Sequence, residues 1–112
     1  MKKRNLNQLD WEEVREQGAR GVRKKVLIGE KEGAPNFIMR IFEVKPKGFT
    51  PLHSHSWEHE VYVLKGKGRV FTAGREKEIS EGDALLIEPN EEHQFKNPYS
   101  EPLIFLCLIP KQ

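Results

Sequence analysis

Four histidines carry the chemistry that this sequence can do. Three of them fall within seven residues, His53-Ser54-His55-Ser56-Trp57-Glu58-His59, and the fourth, His93, follows later. Positions 53, 55 and 59 share odd parity, so on an extended chain their imidazoles point to one face. On a helix, 53 and 55 would stand about 200° apart and could not share a ligand. The run Val61-Tyr62-Val63-Leu64 that follows is β-branched and aromatic, which favours a strand. Imidazole lone pairs gathered in one volume are costly to bury unless something binds them, and a divalent metal does that best. The spacing therefore points to a metal centre with His53, His55 and His59 as ligands. Glu58 and Glu60 sit at even positions and should face away from it, while Trp57 should roof the site or stand at its rim.

Strands must hold these residues in place. Apolar and β-branched runs separated by Gly, Pro, Asn and Asp predict strands over 22–28, 36–44, 60–64, 69–73, 76–79, 84–87, 93–97 and 103–109, the one over 84–87 short and buried. The tetrapeptide Lys45-Pro46-Lys47-Gly48 should end the second of them. Many short strands with turns between and no long helical pattern predict an all-β sandwich or barrel. Residues 1–20 are polar and read as an N-terminal arm, with a capped turn at Asp10-Trp11-Glu12-Glu13 and with Trp11 and Val14 packing on a body formed by 21–112. Arg40 lies in phase with Ile38, Phe42 and Val44, which suits either a snorkelling side chain or an anion clamp beside the metal. Phe95, two residues after His93, should face inward as an apolar wall. Cys107 shares parity with Leu103, Phe105 and Ile109, so it reads first as a small core hydrophobe.

Bulk properties narrow the function classes. With 112 residues the chain suits one domain with a single core. A net charge of +2 with interspersed signs leaves no footprint for nucleic acid or an acidic membrane. No apolar run reaches a membrane span, and no apolar segment follows the basic start, so neither an anchor nor a signal peptide is expected. The single cysteine excludes an internal disulfide and suits a reducing cytoplasm. The apolar run 103–109 is hydrophobic on both faces, which predicts cover from a partner sheet or a second subunit.

The spacing resembles the cupin family. Its first motif corresponds to His53-x-His55, three residues, His59, six residues and Gly66, with His59 in the slot usually filled by an acid; the alternative, Glu60 in that slot, leaves a five-residue spacer that departs from the motif. Its second corresponds to Gly82, five residues, Glu88-Pro89-Asn90, two residues, His93, three residues and Asn97. Asn90 stands where glycine is usual, and asparagine is the residue best suited after glycine to a positive φ. Segments including 20–24, 34–37, 53–64 and 105–110 are similar to the small single-domain cupins of thermophilic bacteria with a four-histidine manganese site. That resemblance implies a jelly-roll-like β-barrel with a short N-terminal arm, a homodimer, and one divalent ion per chain. Manganese is the ion it favours, although imidazoles accept Fe, Co, Ni, Cu and Zn as well. It also adds His93 to His53, His55 and His59 as ligands; Arg40, Val61, Phe95, Phe105 and Cys107 are the residues expected to form the pocket around the open positions, with no catalytic group beyond the ligands.

The function expected on this basis is a metal-dependent oxidoreductase, dioxygenase-like, using dioxygen or peroxide on a small organic substrate. Four neutral ligands leave the ion its full charge, and no general base is evident for isomerase or hydrolase chemistry. The alternative is a non-catalytic module that binds or senses a metal or small molecule; an isomerase is the weaker third reading.

Overall fold

Alternation carries the chain into strands. In β4 (His59–Lys65), buried and exposed positions alternate through His59, Glu60, Val61, Tyr62 and Val63, the pattern of a strand with one face on a core. The computed structural model describes residues 1–112. The other strands are β1 (Glu12–Glu13), β2 (Arg20–Ile28), β3 (Phe37–Phe49), β5 (Lys67–Thr72), β6 (Arg75–Ser80), β7 (Ala84–Ile87), β8 (His93–Lys96) and β9 (Leu103–Pro110). All pair antiparallel in one curled sheet of order β6-β5-β8-β3-β9-β4-β7, with β2 also on β3 and β1 on β2. This is the expected all-β barrel. Its only helical turns are short 3₁₀ segments at Leu6–Gln8 and Glu30–Glu32, and no helix is long and apolar enough to cross a membrane.

The core lies inside the curl, where Val22, Val44, Val63, Leu103 and Phe105 are at most 2% exposed. Phe105 stacks on Phe95 at 4.6 Å and on Phe42 at 5.5 Å between ring centroids. Three strands, β3, β8 and β9, thus meet in one aromatic stack, where offset rings gain beyond simple burial.

Three expectations need correction. The second strand does not stop at Val44: β3 runs on through Lys45-Pro46-Lys47-Gly48 to Phe49. Proline cannot donate to a ladder, and Lys47 takes a positive φ of 69°, so the strand bends instead of ending. The bend moves it from β9, which it pairs up to Val44, to β8, which it meets at Phe49. Asn97 secures that corner, its amide donating to the carbonyls of Val44 (2.9 Å) and Glu101 (2.7 Å). Second, Asp10-Trp11-Glu12-Glu13 is no capped turn. Glu12 and Glu13 pair with Lys24 and Arg23, and the capped 3₁₀ turn lies earlier, with Asn5 accepting from the Asn7 N–H. Trp11 does pack on the body, beneath Arg23 (4.4 Å) and Lys25 (4.6 Å). Third, β7 is not buried throughout, since Leu86 is 61% exposed while Ile87 is in the core.

Gly66 and Gly82 both have positive φ, 85° and 94°. A Cβ on Gly66 would lie 2.2 Å from the Pro102 carbonyl oxygen, whereas one on Gly82 meets nothing within 4 Å. Gly82→Ala should therefore cost only the backbone strain, about 1–2 kcal/mol. Gly66→Ala should cost clearly more, because a backbone oxygen must also move. Urea unfolding of both variants checks the order.

Candidate metal centre

The histidines reach one volume by a different route from simple strand alternation. Only His59 lies in β4, at its first residue. His53 forms an isolated bridge with His93 at the start of β8, with N–H···O distances of 3.2 and 2.9 Å, and the chain bends at Ser56–Trp57 between them. His55 is pinned across the gap, its carbonyl accepting from the Asn90 N–H at 2.6 Å. Asn90 has φ 67°, so the asparagine in the usual glycine position does adopt the left-handed turn. The nitrogens of His53, His55 and His93 lie within 4.8 Å of one another. His59 adjoins them, its ring 4.9 Å from His93 and 5.2 Å from His55.

Which nitrogen faces inward is set from behind. The Nδ1 of His93 lies 3.0 Å from the Glu91 carbonyl, and that of His53 lies 3.3 Å from Glu16 Oε2. Both partners are acceptors only, so each Nδ1 carries the hydrogen and leaves Nε2 with a bare lone pair. The Nδ1 of His59 meets Cys107 Sγ at 3.3 Å, and its Nε2 is buried without a partner. His55 is held by its ring, stacked on Trp57 at 4.6 Å and 6°. Burial holds His59 down to a pKa of about 3, helped by His93 and Arg40, and burial likewise lowers His55 and His93. Neutral imidazoles with an unsatisfied buried nitrogen fit a divalent cation, and their outer hydrogen bonds are those that orient metal-binding histidines.

The cavity in front of them encloses about 200 Å³. Of the residues expected there, Arg40, Phe95, Phe105 and Cys107 line it. Val61 does not; it is 3% exposed and packs in the core behind Cys107, its β9 partner. Arg40 neither snorkels nor meets an acid, because its Nη2 donates to Cys107 Sγ at 3.1 Å and its guanidinium lies 4.9 Å over Phe42. Cys107 is a buried free thiol whose pKa burial pushes up, against the opposing pull of Arg40. Trp57 stands on the wall as expected, and Glu60 is exposed on the other side of β4.

One group was missed. Glu16, on the arm, lines the cavity mouth as its only carboxylate. It stands 37 residues before His53, within a polar stretch that offers no periodicity to single it out.

Residues 40–109 match the cupin domain. The whole chain is similar to the polyketide cyclase RemF from Streptomyces resistomycificus, at 37% identity and a TM-score of 0.95, covering 100% of this chain and 80% of that one. A 1-methylthio-D-xylulose 5-phosphate methylsulfurylase of Rhodospirillum rubrum is 35% identical over 71 residues, 63% of this chain and 46% of that protein. A glucose-6-phosphate isomerase of Pyrococcus abyssi is 34% identical over 119 residues, 94% of this chain and 63% of that protein. The chain thus spans less than two thirds of the length of either of these last two relatives.

Two outcomes follow from this geometry. Unfolded imidazoles take up protons near pH 6.5, while His59 resists down to about 3. Between those values the unfolded chain binds more protons, so this contribution to stability is present above pH 6.5 and is lost as pH falls. Calorimetric melting of metal-free protein should drop across that window, and His59→Phe should flatten the drop. Cys107→Ala, which removes the sulfur behind His59, should weaken metal affinity by about 10–100-fold in competition titrations, with Cys107→Ser retaining most of it.

Proposed function

The chain belongs to the cupin family, and we propose that it is a metal-dependent enzyme acting on a small, oxygen-rich organic molecule. His53, His55, His59 and His93 are the residues that would hold one divalent ion. The supporting observation is that three rings bind outward through Nδ1 and leave Nε2 for a common centre. When bound there, the ion supplies Lewis-acid polarisation of a substrate oxygen and, if redox-active as manganese or iron is, a centre for dioxygen or peroxide. Manganese is favoured by resemblance alone.

The chain's own groups favour proton-transfer chemistry on an enolisable carbonyl compound. Glu16 reaches the cavity mouth at 57% side-chain exposure, 3.3 Å from His53, where it can take a proton from a bound substrate and return it elsewhere. Arg40, which also lines the cavity, supplies a positive charge for a developing oxyanion. Phe95 and Phe105 exclude water from the space between. Similarity over the full chain to a polyketide cyclase agrees with this reading. The second reading is the dioxygenase-like oxidoreductase, favoured by the walls deeper in: Glu16 is at the rim and no carboxylate lines the interior. A non-catalytic binding module is the remaining alternative.

The one free cysteine suits a cytoplasmic protein. A homodimer is supported by exposed Tyr62 and Leu86, which flank an apolar groove over β4 and β7. Light scattering at micromolar concentration should give twice the 13.0 kDa chain mass.

His93→Ala should lose the ion, read by elemental analysis of the purified protein. Manganese- and zinc-loaded protein should be incubated with pentane-2,4-dione in D2O under air. Proton transfer predicts deuterium exchange above free metal with either ion, reduced by about 10²-fold or more in metal-saturated Glu16→Gln. Oxygenase chemistry instead predicts oxygen uptake with manganese and none with zinc. Thermal stabilisation by the diketone with neither signal would leave the binding module.

A further inference from the structure

In the whole chain, three buried side-chain polar atoms lack a hydrogen-bond partner: Arg40 Nε, Trp57 Nε1 and His59 Nε2. All three belong to residues lining the histidine cavity. His59 Nε2 is a lone pair and belongs with the metal. The other two are N–H donors, and a buried donor without an acceptor is costly enough that folded proteins rarely keep one.

The charge around the cavity is one-sided. Arg40 is in no ion pair, and neither is Lys24, which also lines the wall. Glu16, the one carboxylate there, is already engaged with His53. Thr50 Oγ1 is used by the Phe95 backbone, accepting from its N–H at 2.8 Å. Apart from the second oxygen of Glu16 at the mouth, what remains free toward a ligand is donors and positive charge, with hardly an acceptor for a ligand's hydroxyl groups. A polyhydroxylated sugar would bring several O–H donors to walls that cannot receive them.

The shape is equally selective. Phe42, Phe105 and Phe95 form a continuous stack on one side, and His55 lies flat on Trp57 with an angle of 6°. The cavity is about 200 Å³, and a cavity of roughly 150 Å³ takes one benzene ring. One flat ring with a few oxygen substituents, or an open chain of similar size, is the payload that fits.

We propose that the cavity takes a planar, conjugated oxyanion (an aryl carboxylate, phenolate or enolate), gripped by Arg40, in preference to a sugar phosphate. This names the substrate class for the metal-dependent enzyme proposed above and rests on that reading.

The test is calorimetric titration of zinc-loaded protein with benzoate, cyclohexanecarboxylate and glucose 6-phosphate, with zinc content measured in the same samples. Benzoate and cyclohexanecarboxylate carry the same carboxylate on a flat and a puckered ring. Benzoate should bind at least about tenfold more tightly than either rival. Arg40→Gln should lower its affinity about tenfold or more. Zinc-loaded protein that binds the three probes alike, that prefers glucose 6-phosphate, or whose benzoate affinity ignores the Arg40 substitution overturns this inference alone. Protein that holds no zinc overturns the metal reading and this inference with it.

Discussion

The structure depends on bringing imidazole nitrogens together with their lone pairs bare. Left alone, such a cluster would either protonate and repel itself or draw in water, so each ring has to be held from behind. The supports come from different parts of the chain: Glu16 on the arm for His53, the Glu91 carbonyl before β8 for His93, and Cys107 on β9 for His59. His55 is held by the flat face of Trp57 and by its own carbonyl, tied to Asn90. Because the supports of His53 and His59 come from distant parts of the chain, the site exists only when the sheet has folded.

That dependence runs both ways. Phe105 is 2% exposed, stacks on two other phenyl rings in the core, and also lines the cavity. Core and cavity wall are therefore the same residues seen from two sides. A side chain changed to admit a larger ligand also changes packing between β3, β8 and β9. The Arg40–Cys107–His59 chain of contacts links the guanidinium on the cavity wall to the buried imidazole in the same way. Through the sulfur, charge brought to Arg40 by a ligand is felt at His59.

Most of the fold was legible because its signals are local. Alternation set the faces of β4 and β9, and Gly, Pro and Asn marked nearly every turn. Where reading failed, a non-local partner decided the outcome. Lys45-Pro46-Lys47-Gly48 has the composition of a turn, but Asn97, 53 residues beyond Val44, holds it as a bend within one strand. Val61 has the parity of a pocket residue, yet the curl of the sheet places it behind Cys107, in the core.

The sequence by itself determined that four histidines at these spacings, with motif glycines and Asn90 between them, would gather in an all-β barrel. Residue type and period carry that much, because strand faces and left-handed turns are local properties of the backbone. Tertiary structure alone decided which nitrogen of His53 and of His59 looks inward, that Arg40 is left without an acid, and that Glu16 stands at the mouth. Those facts depend on contacts between residues 37 to 67 positions apart, and such contacts leave no periodic trace in the chain that makes them.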